Sequence, residues 1–127
     1  MPLLNAPAKA FHARFASWFA AQGGDHAQLA YHWRGAGDTA RAQAAAMAAG
    51  EAAEAQLAWG LAADWYHRAR ELGADAGDAG RDLDARLHAR LADCLFLAGK
   101  LAPAADEFLA LARDADRAAS PGDARRE

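Results

Sequence analysis

No valine and no isoleucine occurs in these 127 residues, and the single threonine is Thr39. A β-sheet normally draws on β-branched side chains. About a third of the positions are instead Ala, the best intrinsic helix former. The chain is therefore expected to be all-α. The same composition makes for a thin core, because Ala buries little area. Stability must come from close helix approach and from a few large anchors: Phe11, Phe15, Trp18, Trp33, Trp59, Trp65, Tyr66, Phe96 and Phe108.

Periodicity and punctuation predict six helices. The first spans about 6–22, with Asn5 as cap, Pro7 in the first turn and an apolar stripe at Phe11, Phe15 and Trp18; Gly23-Gly24 ends it. The second starts after Asp25 and runs to about Arg34. The third starts at Asp38 or Thr39 and reaches about Leu57; being mostly Ala, it suits the centre of the fold. The fourth covers about 60–72. Three glycines and two aspartates over 73–80 mark a surface linker, without the ligand pattern of a calcium loop. The fifth, about 82–98, carries a ladder at Leu83, Leu87, Leu91 and Leu95 with Cys94 beside it. The sixth, about 102–119, is ended by Ser120-Pro121-Gly122. The organisation expected is an N-terminal helix (1–24) packing on a helical array (25–119), with a frayed tail (120–127).

One phrase occurs twice. Leu29-Ala30-x-x-Trp33-x-x-Ala36-Gly37-Asp38-x-x-x-Ala42 is matched by Leu91-Ala92-x-x-Leu95-x-x-Ala98-Gly99-Lys100-x-x-x-Ala104. Each copy reads as a helix that stops at Ala-Gly and turns into an Ala-rich partner, so the two helices lie antiparallel. Ala30, Ala92, Ala42 and Ala104 are the small residues expected at the helix crossings. A degenerate middle unit follows Trp59-x-x-Ala62-x-x-x-Tyr66-x-x-Ala69-x-x-Leu72.

These features resemble tetratricopeptide repeats, although the copies lie 62 residues apart rather than at a multiple of the usual period of about 34. The fold expected is an irregular tetratricopeptide-like superhelix of antiparallel helical hairpins. A longer resemblance rests on Phe11-His12-Ala13-Arg14-Phe15-Ala16-x-Trp18-Phe19, Gly23-Gly24, Leu29-Ala30-Tyr31-His32-Trp33, Ala36-Gly37-Asp38 and Arg90-Leu91-Ala92-Asp93-Cys94-Leu95. That order is similar to the helical region of bacterial multidomain signal-transduction ATPases, including those associated with Ser/Thr kinase or nucleotide-cyclase domains. The resemblance implies a sensor or scaffold arm, with ATP binding and catalysis outside this chain. An alternative is the inducer-sensing helical region of an ATP-dependent transcriptional activator.

The residues themselves argue against chemistry. Gly99-Lys100 lacks the rest of a phosphate loop. His26 and His32 lie on different faces, while His12, His67 and His88 stand alone on Arg-bearing helices; all are read as solvated or packing residues, with no metal site and no cofactor. Cys94 is read as a small buried residue rather than a nucleophile. Asp82, Asp84, Asp75 and Asp78 are read as caps and solvated loop residues rather than paired catalytic carboxylates. No enzyme activity is expected. A net charge of −3 argues against a nucleic-acid partner, and no apolar run approaches the roughly 20 residues of a membrane span. A lone cysteine fits a reducing cytoplasm. The first 24 residues, basic and without an acid, faintly resemble a targeting helix, but the cap and core spacing favour an ordinary one.

In regular repeats the first-helix side chains line the concave surface. Carried over by resemblance, these are Tyr31 and Arg34 in the first unit, and Arg86, Ala89, Asp93 and Phe96 in the third. Glu51 and Glu54 are the corresponding middle positions. Tyr31 is the aromatic expected to be exposed. Such a mixed-charge groove suits a protein or peptide partner; a merely solvated surface is the other reading of the same residues.

Overall fold

The structure, a computed structural model, describes residues 2–21 and 25–124. Six helices follow one another: α1 (Pro2–Ala21), α2 (His26–Gly35), α3 (Thr39–Ala55), α4 (Trp59–Leu72), α5 (Arg81–Leu97) and α6 (Leu101–Ala124). No strand occurs among the described residues. The all-helical expectation holds.

The helix starts follow from local chemistry. Asp25 caps α2 by accepting the Ala27 N–H at 2.7 Å, and Asp38 caps α3 by accepting that of Arg41 at 3.0 Å. Three turns then share one backbone form. After α2, the Gly37 N–H bonds to the Arg34 carbonyl and the Asp38 N–H to that of Trp33. After α5, Gly99 and Lys100 repeat this on Phe96 and Leu95; after α3, Leu57 and Ala58 repeat it on Glu54 and Ala53. All three are Schellman endings, which place the first residue beyond the cap in the left-handed region. Gly37 and Gly99 both have φ +81°, whereas Leu57 takes φ +61° with a full side chain. The connection from α4 to α5 differs. It is the glycine-rich segment expected as a loop, with a 3-10 turn at Gly77–Gly80 leading directly into α5.

Each helix packs on its neighbours in sequence, and no other pair of helices has its backbones in contact among the described residues. α3 presents a stripe of small buried residues, Ala42, Ala45, Ala46, Ala49, Gly50 and Ala53, to α2 and α4. Tyr66, fully buried on α4, uses that space. A Cβ on Gly50 would meet its ring at 2.8 Å. A glycine thus lets the Tyr66 ring lie directly against the α3 backbone. At the other end of this hairpin, Gln43 Nε2 donates at 2.9 Å to the Ala69 carbonyl, which also accepts the Gly73 N–H at 3.2 Å. α1 meets α2 where Gly35 faces the His12 ring. The four alanines expected at the helix crossings, Ala30, Ala42, Ala92 and Ala104, are all buried. Leu87 and Leu91 are buried, and Leu83 and Leu95 pack against the same core.

Several expectations change. α1 begins at Pro2, so Asn5 lies within it rather than at its cap, and Pro7 stands inside the helix. Gly23-Gly24 lies outside the described residues. α3 ends at Ala55, two residues before Leu57. α6 continues through Ser120-Pro121-Gly122 to Ala124, so the expected frayed tail is helical over 120–124 and 125–127 lie outside the described residues. A proline without its N–H can kink a helix rather than end it. The anchors divide sharply. Tyr66 and Trp33 are buried and Trp59 and Trp65 pack on the core, but Phe11, Trp18, Phe96 and Phe108 are exposed.

Candidate functional site

α2 and α4 flank a cavity of about 320 Å³ floored by Ala27, Ala30 and Ala46. The floor is low because the α3 residue there is Ala. Its walls are Tyr31 and Arg34 from α2, and Trp65, Arg68, Glu71 and Leu72 from α4. The Arg68 guanidinium lies 4.9 Å over the Trp65 ring, and the His67 imidazole reaches Glu71 at 2.9 Å. Neither Arg34 nor Arg68 makes an ion pair among the described residues. The cavity therefore combines aromatic and aliphatic walls with two guanidinium groups that have no ion pair among the described residues and one carboxylate, Glu71, that is held by His67. Tyr31 is exposed, as expected.

The other five candidates do not line this cavity. Glu51 and Glu54 project from another side of α3 toward α5. There Arg90 donates to Glu54 at 2.6 Å and to Glu51 at 3.4 Å. Arg86 and Asp93 share the Arg90 side of α5 by their i, i+4, i+7 spacing and are exposed. Phe96 is exposed farther round the helix. The seven candidates thus divide between an α2–α4 surface and an α3–α5 surface. The two copies of the phrase begin on helices three apart, and in a sequential zigzag an odd step changes sides.

Sequence reasoning missed a polar cluster under the α3–α5 surface. The Cys94 thiol donates to Glu54 Oε1 at 3.1 Å, and Arg90 lies 5.1 Å over the Tyr66 ring. Cys94 is buried, as expected, yet it faces a carboxylate. Burial first, and then Glu54, hold its thiol up at about 12, so it carries no thiolate near neutral pH. The Tyr66 hydroxyl is buried beside Glu54 without a hydrogen-bond partner among the described residues. Burial pushes its ionisation upward, and the Glu54 carboxylate adds to the effect.

His12, His32, His67 and His88 each have a side-chain partner. His12 Nδ1 and His32 Nδ1 meet at 2.9 Å across α1 and α2, and the Phe15 and His32 rings lie 4.3 Å apart. Burial, and then the charge of His12, lower the His32 pKa. His88 is buried and bonds Glu107 of α6; Glu107 also lies 3.7 Å from Arg70 of α4, which itself donates to Asp84 at 2.9 Å. None of these contacts gathers three metal-ligating side chains among the described residues. Pairs this far apart in the chain leave no local pattern to read.

No family model matches the chain. No curated protein and no solved structure matches it either. No helix among the described residues is long and apolar enough to cross a membrane.

Proposed function

We propose that this chain is a non-catalytic protein-binding module, a tetratricopeptide-like superhelix that receives an acidic peptide segment between α2 and α4. The observation that carries this reading is the pair of unpaired guanidiniums, Arg34 and Arg68, set beside Tyr31, Trp65 and Leu72 over an alanine floor. Backbone-level contact between sequential helices alone, and the shared turn geometry, support the repeat architecture. The resemblance of the His12-to-Asp38 stretch supports placing the module as the arm of a larger bacterial signalling ATPase or kinase, in the cytoplasm. A carboxylate held by two guanidiniums makes charge-assisted hydrogen bonds worth about 1.5–3 kcal/mol each. An aromatic or leucine side chain next to it would fill the remaining volume.

A displayed library of random peptides tests this. Selection on the wild-type chain should enrich acidic segments that also carry a large apolar residue. Combined Arg34→Glu and Arg68→Glu should weaken the selected peptides by more than tenfold while the helical spectrum is retained. Selection without acidic bias, or binding indifferent to both reversals, would remove the proposal. The inducer-sensing alternative predicts instead that a small anion shifts the thermal midpoint in an Arg34-dependent way while no peptide is enriched.

A further inference from the structure

Among the described residues, α1 and α6 each pack their backbone on one other helix and expose large apolar side chains on another side. α1 packs on α2 alone, through a side that includes Ala16 and the His12 contact. Phe11 and Trp18, seven residues and nearly two full turns apart, fall together on a different side and are 60% and 58% exposed. α6 likewise has its backbone against α5 alone, burying Ala104. Leu101, Ala105, Phe108 and Ala112 follow at i, i+4, i+7 and i+11 on a face that remains open; Leu101 is 61% and Phe108 42% exposed.

The ends also differ in charge. α1 carries no acidic residue; its Lys9 lies against Gly37 at the α2 side, and its Arg14 remains. α6 carries Asp106, Glu107, Asp114, Asp116 and Asp123 against Arg113 and Arg117. Arg14, Asp106 and Asp116 make no ion pair among the described residues. The sizes are compatible, large aromatics standing on the exposed side of α1 and two alanines, Ala105 and Ala112, on that of α6.

We propose that the chain associates head to tail, the open face of α6 in one copy covering the Phe11–Trp18 stripe of α1 in the next. An α6–α6 pairing would set acidic helix against acidic helix and leave both α1 stripes bare. An α1–α1 pairing would do the converse with basic helices. The head-to-tail contact covers both surfaces and pairs opposite charge. It is heterologous and does not close on itself in a pair, so assembly continues with concentration.

Sedimentation of complementary blocked chains tests it. Wild-type mass should rise with concentration beyond that of a dimer and fall with added salt. A start-blocked chain (Phe11→Glu with Trp18→Glu) and an end-blocked chain (Leu101→Glu with Phe108→Glu) should each be monomeric. Their equimolar mixture should form a dimer and nothing larger, because one intact junction remains. A wild type that stays monomeric, a start-blocked chain that dimerises by itself, or a mixture that stays monomeric overturns the proposal. If a blocked chain loses its helical spectrum, Arg14→Glu decides. This exposed change should weaken wild-type association severalfold, and unchanged association refutes the contact.

Discussion

Leu57 occupies a backbone position that two glycines hold elsewhere in the chain. The turn after α3 has the same pair of hydrogen bonds as those after α2 and α5, but its left-handed residue carries a Cβ. A left-handed conformation costs an L-residue about 1–2 kcal/mol, and glycine gives part of this back through the greater freedom of the unfolded chain. Leu57 is 69% exposed, so little packing is lost on removing it. Leu57→Gly should therefore stabilise the protein by about 0.5–1 kcal/mol. The urea midpoint should move upward at constant slope; a downward movement contradicts the account. With Gly at Gly37 and Gly99 the turns are legible in the sequence, whereas a leucine at position 57 reads as more helix, although α3 ends at Ala55. Tyr31 and Arg34, named through the repeat resemblance, line the cavity between α2 and α4. Trp65 and Arg68 of the same cavity were not legible, because α4 reads as the second helix of a hairpin and its exposed side has no pattern of its own.

At the level of elements, α1 is held to α2 by a contact that depends on protonation. His12 and His32 share one hydrogen bond, which needs one ring nitrogen to accept. The His32 pKa lies below its ordinary 6.5, through burial first and the charge of His12 second. The unfolded chain then takes up the proton before the folded one. The stabilisation is complete above about pH 6.5 and is lost as pH falls below it toward the lower folded value. Thermal midpoints between pH 7.5 and 5.5 should fall for the wild type, and the fall should be smaller in His32→Phe. Equal slopes would show that the pair is not the source. This docking was half legible. The helix and its aromatic spacing are readable, but Phe11 and Trp18 of the expected stripe face outward, and Phe15 with the two histidines carries the contact to α2. Periodicity identifies a stripe without saying which neighbour covers it, and α1 offers two candidate sides.

For the whole molecule, sequential packing replaces a shared centre. Interior helices have two neighbours and end helices one, so stability should be graded rather than uniform. Amide exchange should be slowest in α3 and α4, around Gly50 and Tyr66, and fastest in α1 and α6. A single exchange rate shared by all six helices would refute a graded array. The number and order of helices followed from composition and punctuation, since an Ala-rich chain with glycine stops has few alternatives. The side on which each copy of the phrase falls did not, because an odd helix step leaves no mark in the residues. A chain whose helices pack backbone to backbone only on the helix before or after also has low contact order, and local contacts form early and fast. During synthesis no helix needs to wait for a distant segment before packing. α2 can close on α1, and α3 on α2, while the rest of the chain is still in the ribosome, which leaves little time for an unpaired helix to find a wrong partner.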